Sequence, residues 1–163
     1  MLEGQGIAFR YGPRQSWLLR DVSIAVAPGE VVGLSGPSGR GKTTLAKILA
    51  GYLQPAAGQV LVDEQPLPRR GHCPVQLVFQ HPEMAINPRW RMSRVLNEGY
   101  IPLPEVLAAL SIEPLWLTRW PHELSGGELQ RFAVARVLGP ETRYLIADEM
   151  TAMLDAIPQA QIW

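Results

Sequence analysis

The sequence has almost no cysteine: Cys73 stands alone, so no internal disulfide can form and no second thiol is available for a metal site. It has no excess charge of either sign. Fifteen Lys and Arg balance fifteen Asp and Glu, which leaves no net field to favour nucleic acid or an anionic membrane. Long apolar runs are also missing, the longest being strand-sized and far short of the roughly 20 residues that span a bilayer. Met1-Leu2-Glu3-Gly4 lacks the basic segment and apolar core of a secretory signal. These absences exclude a disulfide scaffold and a membrane-spanning chain, and they place the expectation in the cytoplasm with no nucleic-acid partner. There is no internal repeat and no low-complexity segment. What is present, 163 residues of which 47% are apolar, suffices for one domain with a proper core.

The stretch with the clearest chemistry is Gly36-Pro37-Ser38-Gly39-Arg40-Gly41-Lys42-Thr43, which fits the phosphate-loop pattern G-x-x-x-x-G-K-[ST]. Residues 30–35 before it read as a short buried strand, and residues 44–50 after it as a helix closed by Gly51. Glycines at 36, 39 and 41 allow turns that a side chain would block, so that backbone N–H groups and a helix N-terminus converge on one anion. In this pattern Lys42 reaches the β- and γ-phosphates, and Thr43 offers a hydroxyl to Mg²⁺.

In chain order, Ile7-Ala8-Phe9 is expected as a first strand and residues 21–27, alternating at period two, as a second that stops at Pro28-Gly29. Connections this short predict antiparallel pairing. After the helix come a strand over 59–63, a hairpin at Glu64-Gln65, a Pro-rich loop over 66–74 with Arg69 and Arg70 solvated, and a buried strand over 75–79 ending at Gln80. Between Met84 and Trp120 the period becomes helical, with short helices over 92–99 and 104–111. Trp90, Trp116 and Trp120 are expected to serve this unit's own core. Ser125 is placed as the N-cap of a helix running to about Leu138, and His122 as a loop residue. Residues 143–147 read as a third buried strand, which delivers Asp148 and Glu149 at its end. Two adjacent carboxylates there need a cation or a proton.

Five motifs in order resemble the nucleotide-binding subunits of ABC transporters: Tyr11, the loop at 36–43, Gln80, Leu124-Ser125-Gly126-Gly127-Glu128, and Leu145-Ile146-Ala147-Asp148-Glu149 followed by Asp155. The run 78–82 with Asn87-Pro88-Arg89 is similar to the oligopeptide, dipeptide and nickel importer group. The resemblance implies an α/β fold with a P-loop NTPase core, an antiparallel β subdomain and a helical subdomain over 84–122, all within one ABC-type nucleotide-binding domain spanning 1–163. It implies ATP and Mg²⁺. Tyr11 would stack on adenine; Gly36, Ser38, Gly39, Gly41, Lys42, Thr43 and Thr44 would hold the phosphates. Thr43, Gln80 and Asp148 would face the metal, and Glu149, helped by Gln80, would activate water. Ser125, Gly126 and Gly127 would bind the γ-phosphate held by a second nucleotide-binding subunit. Membrane-spanning permease subunits complete the implied assembly, on the inner face of the cell membrane.

The sequence also departs from that family. Glu128 stands where Gln is usual, a change expected to be tolerated, and Met150, Ala152 and Met153 replace residues of the usual segment, which affects a contact across the dimer and includes loss of a serine hydroxyl. Family members continue into a further strand ending in a His, whereas this chain ends at Trp163, and His72, His81 and His122 all precede Asp148. The expectation is therefore a C-terminally incomplete sheet with a gap beside the phosphate-loop strand. Two other readings follow: a truncated, catalytically inactive nucleotide-binding remnant, and a soluble ABC-type ATPase not coupled to transport.

Overall fold

The computed structural model describes residues 1–148. They form two compact units, Met1–Leu77 and a second beginning at Val78. In the first, β1 (Leu2–Phe9), β2 (Leu19–Val26), β3 (Ala57–Val62) and β4 (Gln65–Pro66) make a sheet in the order β2-β1-β3-β4, antiparallel at every pairing. For β1–β2 and β3–β4 the short connections allow nothing else, since a parallel neighbour needs a crossover of a dozen residues or more.

The central strand β1 is longer than its sequence suggests. Leu2, Ile7 and Phe9 are all buried, although Leu2 and Ile7 are out of phase for a regular strand. A bulge resets the alternation: the register shifts between Gly4 and Ile7 on the β2 side and between Gln5 and Ala8 on the β3 side, with Gly6 at φ 58. Gly58 of β3, at φ 84, lies directly on this bulge, where an added Cβ would sit 2.4 Å from the carbonyl oxygens of Gln5 and Gly6.

The β3–β4 hairpin turns on Asp63 and Glu64, one residue earlier than the Glu64-Gln65 expected, because both take left-handed conformations (φ 48 and 65). Two such residues twist a two-residue loop the way the strands twist. The Asp63 carboxylate also pairs with the Met1 ammonium. Pro66 sits in the edge strand, where a missing N–H costs least.

Helix α1 (Lys42–Leu49) buries Leu45, Ile48 and Leu49, and a Cβ on Gly4 would come within 3.1 Å of Leu49. Gly51 follows its C-terminus at φ 78, as expected for a helix stop. Residues 30–35 depart most from expectation, since they are not a buried strand. Residues 31–35 make no backbone hydrogen bond to any described residue, and Val31, Val32 and Leu34 are 68%, 42% and 46% exposed. An apolar run becomes a buried strand only when neighbours flank it, and among the described residues none does.

Strand β5 (Val75–Val78) runs up to the second unit and forms a two-stranded sheet with β6 (Tyr144–Ala147). β6 is only partly buried, Tyr144 alone being fully so, against the buried strand expected. Among the described residues it has one strand neighbour, β5. Helices α2 (Met92–Leu96), α3 (Pro104–Ala109) and α4 (Gly126–Val137) close a core of Val78, Met92, Val95, Leu96, Leu110, Trp116, Phe132 and Val134. Single helical turns at Pro82–Met84, Pro114–Thr118 and Pro121–Glu123 link them, each beginning on a proline, whose fixed φ suits a first turn. Trp116 is buried against Phe132 at 6.5 Å between ring centroids. Trp90 and Trp120 carry the guanidinium groups of Arg94 and Arg91 on their faces. At the far end of α4 the Tyr100 hydroxyl meets the carbonyl oxygens of Ala135 and Leu138 at 2.6 and 2.7 Å, supplying a donor for groups a helix end leaves bare. No helix among the described residues is long and apolar enough to cross a membrane.

Candidate functional site

In the first unit the loop over 36–41 is exposed apart from half-buried Gly41, and leads into α1, for which Gly41 is the N-cap at φ 93. Gly36 and Gly39 take φ 151 and 78, conformations that L side chains rarely adopt. Gly41 is constrained twice, since a Cβ there would also fall 2.9 Å from Leu19 Cδ2. The N–H groups of Gly39, Arg40 and Gly41 donate to no acceptor among the described residues. Lys42 curls back over the loop, its Nζ donating to Gly36 O at 2.7 Å and Pro37 O at 3.1 Å. An ammonium, free N–H groups and a helix N-terminus thus gather on one short stretch, an arrangement built to take an anion.

Tyr11 belongs to the same neighbourhood. Its ring stands edge-on to Phe9 at 5.0 Å and 63% of the residue is exposed. Its hydroxyl lies 3.0 Å from Thr44 Oγ1, which ties the aromatic to the first turn of α1. Sequence reasoning did not find this bond; its only trace is a second threonine after Thr43, in a position that α1 turns inward and buries. Ser38 and Thr43 are exposed on the loop and its helix.

In the second unit the Asp148 N–H donates to Val78 O at 3.1 Å, which joins the C-terminal ends of β5 and β6. Gln80 and Asp148 therefore leave the sheet at the same end, where open α/β sheets bind their ligands. Gln80 is exposed and Asp148 half-buried. Glu149 and Asp155, and the substitutions at Met150, Ala152 and Met153, lie outside the described residues. Cys73 is half-buried, its thiol toward Ala50 O at 3.8 Å and its pKa pushed up by burial.

Ser125 is exposed and caps α4 as its sequence predicts. Its Oγ accepts the Glu128 N–H at 3.3 Å while Glu128 Oε2 accepts the Ser125 N–H at 2.7 Å, a reciprocal capping box. Gly126, next to it, has its backbone exposed. The bond from the Ser125 N–H holds the Glu128 carboxyl below its ordinary 4.5; desolvation opposes it, and the Ser125 hydroxyl, Arg119 and Arg131 each add smaller help. A lowered folded value means that the carboxylate adds stability above about pH 4.5 and loses it as pH falls through the lower folded value. Glu128→Gln, which keeps the acceptor and drops the charge, is expected to cost about 0.3 kcal/mol at neutral pH, because solvent screens so exposed a group. Melts of both chains from pH 7 to 3 check this; the gap should close below pH 4.5, and a gap that widens on acidification would refute it.

Comparison with known proteins bears on the whole arrangement. The sequence profile described as ABC transporter matches residues 19–152. The nickel import system ATP-binding protein NikE of Staphylococcus aureus (strain MSSA476) is 35% identical over 176 aligned positions, covering 99% of this chain and 71% of that protein. Among solved structures, a dimeric bacterial ABC transporter cassette, MJ0796, superposes with a TM-score of 0.75 at 26% identity, over 95% of this chain and 76% of that one. CbiO1 from Clostridium perfringens, part of the ABC transporter complex cbiONQ, gives 0.70 at 26% identity over 96% and 67%. A post-hydrolysis form of MJ0796 bound to ADP and Pi, at 24% identity and a TM-score of 0.74 over 98% and 77%, shares the fold.

Proposed function

Because the chain belongs to the ABC transporter family, we propose that it binds and hydrolyses ATP to power an importer, with peptides or nickel as the cargo class. The observation that carries this reading is the loop at 36–43. Its glycines hold φ values that expose consecutive N–H groups, and Lys42 is folded over them, so the donor set matches a polyphosphate. For Mg²⁺ the supporting fact is chemical: Thr43, Gln80 and Asp148 carry the uncharged and anionic oxygens that a hard cation takes. When bound, the ion would offset charge on the phosphates.

In this reading Gly36, Ser38, Gly39, Gly41, Lys42, Thr43 and Thr44 hold the phosphates, with Tyr11 against the base. Gln80 and Glu149 orient the attacking water. Ser125, Gly126 and Gly127 face the nucleotide of a second nucleotide-binding subunit, so a complete site needs two chains. The whole chain then acts as one nucleotide-binding domain whose helical subdomain, 84–122, docks on permease subunits at the inner face of the membrane. The names of two similar proteins, one the ATP-binding protein of a nickel import system and the other part of an ABC transporter complex, support this. The exposed segment 31–35 favours one second reading, an inactive nucleotide-binding remnant, because a segment left unpaired among the described residues positions the phosphate loop less firmly.

One experiment decides between them: Mg·ATP binding and turnover by the chain, with Lys42→Ala beside it. Removing a preorganised charged donor is expected to lower turnover at least about 100-fold, with a matching loss of binding and an unchanged melt. A cooperative melt with no nucleotide binding by the unsubstituted chain would establish the remnant.

A further inference from the structure

Among the described residues Thr44 and Gln130, each 5% exposed, are buried, and so is Tyr144, whose hydroxyl has no partner there. Thr44 is answered by Tyr11. Gln130 is answered by half: its Nε2 donates to Phe79 O at 3.5 Å, and its Oε1 has no partner among the described residues. It lies in α4 between Leu129 and Phe132, where an apolar residue would pack without an orphaned acceptor. Such a side chain is unfavourable for stability alone. What it reaches is the peptide group that joins Phe79 to Gln80, and it does so from the helix that Ser125 begins.

We infer that Gln130 is a positioning residue that latches α4 to the segment carrying Gln80, so that movement at the Ser125 end of the helix is passed to Gln80. The inference rests on the reading above for its functional meaning, in which Ser125 and Gln80 face nucleotide. The bond is a long one and its partner oxygen unanswered, as suits a contact that is remade when the segment shifts rather than one fixed for good. Coupling of this kind is carried by a packed helix and one hydrogen bond, and a double-mutant cycle measures it.

The perturbation is Glu128→Ala, which opens the capping box and loosens the first turn of α4. The readout is hydrogen exchange of residues 79–82 by mass spectrometry, alongside a urea melt. In the unsubstituted background Glu128→Ala is expected to speed exchange over 79–82 several-fold. In the Gln130→Met background, where volume is kept and both polar atoms are gone, that increment should vanish while the urea midpoint stays or rises. An increment that survives Gln130→Met, or an effect of Glu128→Ala that never reaches 79–82, overturns the inference. Should Gln130→Met fail to melt cooperatively, Gln130→Leu, which also lacks donor and acceptor and suits a buried helix position, takes its place with the same expected outcomes. No nucleotide is used, so a chain that binds no ATP would refute the proposed function and leave this cycle intact.

Discussion

Alanine at Gly58 should cost this protein about 4 kcal/mol, a large share of the roughly 5–15 kcal/mol that holds a domain together. Two penalties coincide there. The residue sits at φ 84, where an L side chain is strained by about 1–2 kcal/mol, and the new Cβ would overlap two carbonyl oxygens at 2.4 Å. Those atoms are backbone of the β1 bulge and cannot rotate aside, so the β1–β3 pairing must part. The control is Gly29→Ala: its φ is 75, but no atom lies within 4 Å of the added Cβ, and only the strain of about 1 kcal/mol remains. Urea midpoints of the two variants test the claim. Equal losses would show that the bulge yields, and that the close approach carries no weight.

Phe132→Ala is the second large effect, expected at about 3–5 kcal/mol. Phe132 is fully buried in the middle of α4, packed within the core of the second unit and against Trp116. Truncation removes the transfer energy of a phenyl ring and leaves a void lined by residues that helices on several sides hold in place. Phe132→Leu should recover most of the loss, because its volume nearly fills the space. The check is again the urea midpoint, with far-ultraviolet dichroism to follow helix content. Alanine costing no more than leucine would mean that the helices collapse into the gap.

What could be read in advance was local. Ser125 and Glu128, three residues apart before an apolar helix, announce a capping box, and the α4 core positions Leu129, Phe132 and Ala133 follow from helical spacing. Gly51 marks the end of α1 for an equally local reason. What escaped depends on partners distant in sequence. The extent of β1 is masked because the bulge at Gly6 breaks the alternation that identifies a strand. The hairpin is displaced by one residue because Asp63 and Glu64 both accept left-handed backbone, and neither is glycine. Residues 30–35 carry the composition of a buried strand, but burial comes from neighbours that composition does not contain. In the candidate site, the loop glycines and Lys42 were legible as a pattern. The bonds Tyr11–Thr44 and Gln130–Phe79 were not, since each pairs residues far apart along the chain.

The exposed stretch 31–35 also bears on how the chain behaves in company. It is uncharged from Val31 to Gly39, rich in β-forming residues, and over 31–35 its backbone donors and acceptors are unpaired among the described residues. Natural sheets blunt such edges with lysine, proline or a covering helix; here Glu30 and Pro37 stand only at its margins. An edge of that kind is a template for aggregation, on which any passing extended segment can lie down and pair. A charge placed among Val31, Val32 and Leu34 is therefore expected to make the chain less prone to self-association.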